Sequence, residues 1–152
     1  MEIQVRDARL TDIDRVTGLL GRADAQWTPA RVDEAADVLR QMIYLPNATV
    51  MVALEGRMLV AAAVLAIRPS VAAGGLIGTV DLVAVEPGDE LDDVLQALLR
   101  DLIRTARNKG CVALESELPA DSDALLRWES AGFTTAGALV RCPLVRAAAP
   151  TC

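Results

Sequence analysis

The chain has 152 residues, 53% hydrophobic and 3% aromatic, which suits one domain with an aliphatic core and argues against disorder. The net charge of −6 argues against a nucleic-acid partner, because binding to phosphates requires a basic face. The sequence contains no histidine, which excludes catalysis by a Ser-His-Asp or Cys-His arrangement.

Neither a membrane segment nor a metal site is indicated. The longest apolar run, 58–67, is about half of the roughly 20 residues that a membrane-spanning helix needs. The first ten residues lack the apolar segment of a signal peptide. The three cysteines, Cys111, Cys142 and Cys152, are far apart and lack zinc-ligand spacing. We therefore expect a reduced, cytoplasmic protein with no metal, membrane or nucleic-acid partner.

The first half of the chain alternates between strand and helix patterns. Thr11 is a candidate N-cap for a first helix. Thr28 and Pro29 start a second helix, because proline is favoured at the first helical position. Strands are predicted over 2–7, 49–54 and 58–67, the last two forming a hairpin around Gly56.

The second half contains the clearest element of the chain, a helix that begins after Pro87. Its leucines form one continuous apolar stripe, and it ends at Lys109 and Gly110, a cation and a glycine typical of helix ends. A shorter helix, capped by Asp121 or Ser122, follows. Strands are predicted over 77–85, 111–118 and 138–144, with a further candidate at 133–136.

This order of elements predicts the α/β (α+β) class. We expect a mixed β-sheet of six to seven strands, flanked by about four helices. The elements fall in a single domain over 1–145, and 146–152 reads as a flexible C-terminal tail.

Five segments, in this order, carry a family resemblance: VRDARLTD (5–12), ALEGRMLVAAAV (53–64), VAVEP (83–87), ALL (97–99) and RWESAGF (127–133). With the order of elements, they resemble the GNAT superfamily of acyl-coenzyme A dependent N-acyltransferases over most of the chain. The resemblance implies a GNAT-like sheet, acetyl-CoA as the cofactor and transfer of an acyl group to a small-molecule amine. A homodimer is one assembly that it allows.

The resemblance also assigns residues to the cofactor. In the family the pantetheine arm lies along the fourth strand and bonds to its backbone, here around Val83 and Val85. Asp121 stands where members often have an asparagine that contacts this arm, although an aspartate there also suits a helix cap.

The pyrophosphate motif of the family, Arg/Gln-x-x-Gly-x-Gly/Ala, falls on ELDDVL (90–95). Glu90 replaces the arginine or glutamine, and Asp93 and Leu95 replace the two more diagnostic glycines. Side chains at these positions obstruct the approach of phosphate to the backbone. A carboxylate about 6 Å from a phosphate opposes binding by roughly 3 kcal/mol at an effective dielectric near 20. We therefore expect impaired acetyl-CoA binding.

The acidic residues of this stretch also have a structural interpretation. Asp89, Glu90, Asp92 and Asp93 complement the dipole at the start of the helix. In that interpretation the chain closes its own anion site. Binding of a metal cation to these carboxylates is a weaker alternative, because they lack an EF-hand pattern.

Asp81 is the candidate catalytic base, because many members place an acidic residue near this register of the fourth strand. Strand alternation predicts that Asp81 lies on the same side as Val83 and Val85. The alternative is an exposed aspartate that bonds to its neighbours. Trp128 stands where members often have a tyrosine that protonates the leaving thiolate, and an indole cannot do so. Trp27 lies in the acceptor-recognition region, where it either lines a pocket or anchors packing.

Three functions remain open from the sequence. The first is an active acyltransferase for a small amine. The second is a GNAT-fold binding or regulatory protein that does not use acetyl-CoA. The third is a binder of cationic small molecules that uses the acidic helix start. Fold alone does not choose among them, because function depends on the site.

Overall fold

The computed structural model describes residues 2–119 and 121–144, which form one mixed sheet with helices on both faces. The first four strands pair antiparallel with their neighbours, whereas the last pairs parallel with the fourth. In spatial order the strands are β1 (Ile3–Asp7), β2 (Ala48–Glu55), β3 (Met58–Ser70), β4 (Gly75–Val85) and β5 (Cys111–Ser116).

Within the described ranges the chain forms four α-helices, the number that the sequence predicts. They are α1 (Ile13–Ala23), α2 (Pro29–Met42), α3 (Leu91–Asn108) and α4 (Ser122–Ser130). The apolar residues of α1 and α2 form one core cluster with alternate residues of β2 and β3, and the stripe of α3 forms a second cluster with the remaining ones. The sheet therefore separates two cores, and α4 packs against α3.

Local signals predict most helix ends correctly. The Thr28 hydroxyl accepts a hydrogen bond from the backbone N–H of Arg31, and the Asp121 carboxylate accepts one from Ala124, at 2.7 Å. Gly110 follows α3 with φ +86°, the left-handed conformation that glycine adopts most readily. Thr11 is not a cap, because a 3₁₀ turn over Leu10–Asp12 precedes α1.

The described residues form five strands, fewer than the six to seven that the sequence predicts. The described residues of 133–136 and 138–144 pair with no strand, and Val140 is 96% exposed. Apolar residues in 138–144 suggest a strand, but a strand also needs a partner ladder, and Pro143 has no N–H to donate to one. The tail predicted over 146–152 lies outside the described residues.

Two further expectations concern cysteines and membranes. Cys111 is a free, half-buried thiol, whereas Cys142 is disulfide-bonded, which departs from the reduced state expected for all three cysteines. Among the described helices none is long and apolar enough to span a bilayer.

One buried carboxylate fixes the entry into α1. Asp12 is 1% exposed and accepts two hydrogen bonds from Arg6, at 2.7 and 3.2 Å, and one from Arg15, at 2.7 Å. The backbone N–H of Arg9 is a further donor, at 2.8 Å. The hydrogen bond from Arg6 is the main reason why the pKa of Asp12 lies well below its usual range. The cluster ties β1 to α1.

Asp12→Ala should therefore destabilise the protein by about 3 kcal/mol, because it leaves a guanidinium without its buried partner. Urea unfolding at pH 7 measures the change. Asp14→Ala, which removes a carboxylate that is 93% exposed, is the matched control and should change stability by less than about 1 kcal/mol.

The same pair of variants tests the pH dependence. A depressed pKa in the folded state stabilises the protein above the ordinary value of 3.8, and this contribution is lost as the pH falls below it. The difference in unfolding free energy between wild type and Asp12→Ala should shrink as the pH falls from 5 to about 2. A constant difference over that range would contradict the assignment.

Candidate functional site

The fourth strand loses one of its neighbours halfway along its length. β5 pairs with β4 only from Leu76 to Val80, whereas β3 stays paired with β4 as far as Val85. Among the described residues, no strand therefore pairs with the second edge of β4 over 81–85. Backbone N–H and C=O groups on such an edge need water or a ligand as partners.

A cavity of about 470 Å³, here called the edge cavity, opens beside this part of β4. Its walls are the C-terminal end of β4, the first turns of α3, one side of α4, and the segment between α1 and α2 together with the first turn of α2. Its lining residues include Val83, Val85, Leu91, Leu95, Arg127, Trp128, Trp27 and Arg31.

A second cavity, of about 350 Å³ and here called the bulge cavity, lies between β4 and α2. Asp81 and Glu34 are its acidic lining residues, and Leu39 and Val64 are part of its apolar wall. Both cavities are lined by Trp27, Arg31 and Leu82, so they adjoin. Together they make a cleft that follows β4 from Asp81 to Val85.

Asp81 lies on a β-bulge. The register with β3 steps from Val80 opposite Leu65 to Leu82 opposite Val64, which leaves Asp81 as the extra residue. Val80, Val83 and Val85 pack toward α3, while Leu82 and Ala84 pack toward α1 and α2.

The prediction that Asp81 shares a side with Val83 and Val85 is therefore wrong. Asp81 lines the bulge cavity with Leu82 instead. Simple alternation assumes an unbroken ladder, and the bulge shifts the alternation by one residue.

The other predicted cofactor residues divide into two groups. Val83, Val85 and Leu95 all line the edge cavity, although the Leu95 side chain is also part of the core beneath α3. Asp121 lines neither cavity, and its carboxylate caps α4. The helix-cap alternative for Asp121 is the one that the geometry supports.

The two tryptophans stand on different walls of the edge cavity. Trp128 packs into the α3-side core and makes an edge-to-face contact with Phe133, with centroids 4.9 Å apart. Trp27 packs on the α1–α2 core, and the Arg31 guanidinium lies 4.5 Å from its ring centroid. Both residues combine a packing role with a place in the cleft.

Arg127 is a cleft residue that the sequence analysis missed. Its Nε donates a hydrogen bond to Oδ1 of Asp92 in the first turn of α3, and its carbonyl accepts one from Gln96, at 2.7 Å. These contacts join α4 to α3 across 35 and 31 positions of sequence. A short motif gives no signal for a partner so far away.

The start of α3 is strongly acidic, as the sequence shows. Glu90 stands at the N-cap and makes no side-chain cap hydrogen bond. Desolvation, with the nearby Glu55 carboxyl as a further cause, raises the pKa of Glu90. Asp93 forms no ion pair with any described residue, so the negative charge here is only partly compensated by Arg127.

A metal centre has no support in the described residues, where no group of three potential ligands is found.

Asp81 makes no side-chain hydrogen bond or ion pair with any described residue and is exposed at the cleft. Asp81→Asn should therefore leave the free energy of unfolding unchanged within about 0.5 kcal/mol. Urea unfolding checks this, with Asp12→Asn as the destabilised comparison. A loss of more than about 2 kcal/mol in Asp81→Asn would give the residue a structural role instead.

Comparison with known proteins gives a clear result only at the level of structure. No protein-family model and no curated protein matches the chain. A candidate acetyltransferase from Arthrobacter sp. FB24 is 29% identical, and the match covers 88% of this chain and 86% of that one with a TM-score of 0.74.

Two further similar structures contain coenzyme A groups. A predicted acetyltransferase from Clostridium acetobutylicum, solved with acetyl-CoA, is 16% identical over 94% of this chain and 97% of that one, with a TM-score of 0.75. AAC(6')-Iy, in complex with the bisubstrate analogue CoA-S-monomethyl-acetylneamine, is 14% identical over 93% and 97%, also with a TM-score of 0.75. The chain therefore has the fold of the GNAT superfamily of N-acetyltransferases.

Proposed function

We propose that this protein transfers an acyl group from an acyl-coenzyme A donor to a small-molecule amine, and that it holds the donor's diphosphate weakly. The observation that carries the proposal is the unpaired edge of β4 over 81–85. This edge opens on the edge cavity, which adjoins the cavity lined by Asp81.

The cleft fits the pantetheine part of the donor. Its amides need backbone partners in an extended arrangement, and the free edge of β4 around Val83 and Val85 offers N–H and C=O groups in that form. Apolar side chains such as Leu91 and Leu95 line the same cavity and suit the methylene portions of the arm.

The cleft fits the diphosphate part less well. Asp92, Asp93 and Glu90 surround the first turn of α3, where the family pose would bring the phosphates. Arg127 offsets part of this charge. We therefore expect a dissociation constant for acetyl-CoA in the high micromolar range or above, because each uncompensated carboxylate opposes binding by up to about 3 kcal/mol before salt screening.

The bulge cavity fits an amine acceptor. Asp81 and Glu34 supply negative charge for an ammonium group, and the apolar wall with Trp27 accommodates a hydrocarbon or ring. The volume of about 350 Å³ limits the acceptor to a small molecule.

The bound donor supplies an acyl group activated as a thioester. In the proposed reaction the bound ammonium first loses a proton to water in the cleft, and the neutral amine nitrogen then attacks the acyl carbon, so that a C–N bond forms and the C–S bond breaks. Asp81 takes the proton from the amine, directly or through a water molecule, because its carboxylate lines the acceptor cavity without a protein partner. The leaving thiolate takes its proton from solvent, since the Trp128 indole is not an acid at neutral pH.

The second candidate is a GNAT-fold binding protein that does not use acetyl-CoA. The acidic first turn of α3 and the tryptophan in the tyrosine position favour it. The cation-binding alternative has less support, because Arg127 already provides an internal partner for Asp92. A homodimer stays a prediction of the family resemblance.

Asp81→Asn should lower kcat for acyl transfer by roughly 10²–10⁴, while the dissociation constant for acetyl-CoA stays within about twofold of wild type. Release of coenzyme A thiol, with acetyl-CoA and a panel of small amines such as polyamines and aminoglycosides, measures turnover. Calorimetry measures binding.

The control is Asp33→Asn, which changes an exposed acidic residue of α2 that lines neither cavity. It should retain turnover within about threefold. The absence of binding heat for wild type at millimolar acetyl-CoA would remove the acyltransferase proposal and leave the binding protein.

A further inference from the structure

We propose that Arg127 is the residue that recognises the diphosphate of the acyl donor, and that Asp92 is an internal counter-ion that it exchanges for the diphosphate. The inference rests on the proposed function, because it assumes that an acyl-CoA enters the edge cavity. In this arrangement the Arg127 side chain of α4 takes the role that the glycine-rich motif at the start of α3 has in the family.

Two arginines line the edge cavity, and they differ in their availability. Arg31 stacks on Trp27 and donates a hydrogen bond to the carbonyl of Gln26, at 3.2 Å, on the α2 side of the cavity. Arg127 lies at the α3–α4 side and pairs with Asp92 through Nε. Of these two arginines, Arg127 is the one whose side chain contacts the first turn of α3, where the family binds pyrophosphate.

The backbone of Arg127 is anchored by a hydrogen bond to α3, whereas its side chain is held by a solvent-exposed ion pair. Gln96 of α3 donates a hydrogen bond to the Arg127 carbonyl at 2.7 Å, which anchors this turn of α4 to α3. The paired side chains are 37% exposed for Arg127 and 69% exposed for Asp92. An ion pair with this much exposure is weak, so the guanidinium can change partner without displacing a helix.

A diphosphate is the stronger partner for this guanidinium. Arginine binds phosphate oxygens with two parallel N–H donors, a geometry that its planar fork matches closely. In the free protein Asp92 occupies one of these donors. On binding, the diphosphate displaces the carboxylate, and Asp92 turns toward solvent. Removing Asp92 therefore frees Arg127 as well as removing a repulsive charge.

The chain provides a matched control for the two effects. Asp93 is the next residue in the same first turn, is also exposed and carries the same charge, but it forms no ion pair with any described residue. Asp93→Asn removes repulsion only, whereas Asp92→Asn removes repulsion and also releases Arg127. A difference in acetyl-CoA affinity between the two variants therefore measures the contribution of releasing Arg127.

Calorimetric titration with acetyl-CoA at low ionic strength tests the inference in five proteins: wild type, Asp92→Asn, Asp93→Asn, Arg127→Gln and the double variant Asp92→Asn with Arg127→Gln. Asp93→Asn should tighten binding by roughly threefold, because it removes one solvent-exposed repulsive charge. Asp92→Asn should tighten it by about tenfold, and Arg127→Gln should weaken it by about tenfold. In the Arg127→Gln background, Asp92→Asn should give no more than the effect of Asp93→Asn.

A donor without phosphates shows whether the changes in affinity depend on the diphosphate. Acetyl-pantetheine has the thioester arm but no phosphate, so its affinity should be the same in wild type, Arg127→Gln and Asp92→Asn. Arg127→Lys, which keeps the charge and loses the two-donor geometry, should bind acetyl-CoA with intermediate affinity. Thermal melts of each variant show whether α4 remains docked.

The outcomes separate the inference from the proposed function. Equal affinities of Asp92→Asn and Asp93→Asn, or unchanged acetyl-CoA affinity in a folded Arg127→Gln variant, would overturn the exchange and leave the acyltransferase proposal standing. Binding of neither acetyl-CoA nor acetyl-pantetheine by any of the proteins would overturn the proposed function itself.

Discussion

The parting of β4 from β5 after Val80 is the constraint on which the cleft depends. Up to that residue the two strands form a parallel ladder, and beyond it the edge of β4 has no described strand partner. The bulge at Asp81 lies at the same point, and bulges increase local twist and redirect side chains. One irregularity therefore opens the edge of β4 and turns Asp81 toward α2.

The negative charge at the start of α3 disfavours binding of the proposed anionic donor at the edge of β4. Acidic residues in a first turn stabilise a helix by about 0.3–1 kcal/mol each, but they also repel an anionic donor. The ion pair between Asp92 and Arg127 reduces this repulsion, because it places a positive charge beside the edge cavity. In the proposed exchange, the same two side chains affect both the stability of the helix and the affinity for the donor.

The sequence predicts the parts of this structure that depend on local chemistry. The apolar stripe of α3, the cap at Thr28 and the turn at Gly110 each follow from residues within a few positions of one another. The predicted strand over 138–144 fails because a strand is a property of two segments, and its side chains alone do not show that a partner is present.

In the candidate site, too, the sequence predicts features that depend on local residues and misses those that depend on distant contacts. Val83, Val85 and Leu95 are found from a family motif in register with β4 and α3, and all three line the edge cavity. The side on which Asp81 lies could not be predicted, because the bulge arises from pairing with β3. Arg127 was missed because its partner is 35 residues away. Long-range contacts, rather than residue types, decide these features.

We have proposed that an acyl donor lies along the edge of β4 over 81–85, which pairs with no described strand. Titration of ¹⁵N-labelled protein with acetyl-pantetheine, followed through backbone amide signals, tests it most directly because this probe lacks the repelled phosphates. We expect shifts concentrated in residues 81–85 and in the adjoining walls of the edge cavity. Shifts confined to other surfaces, or none at millimolar probe, would contradict it.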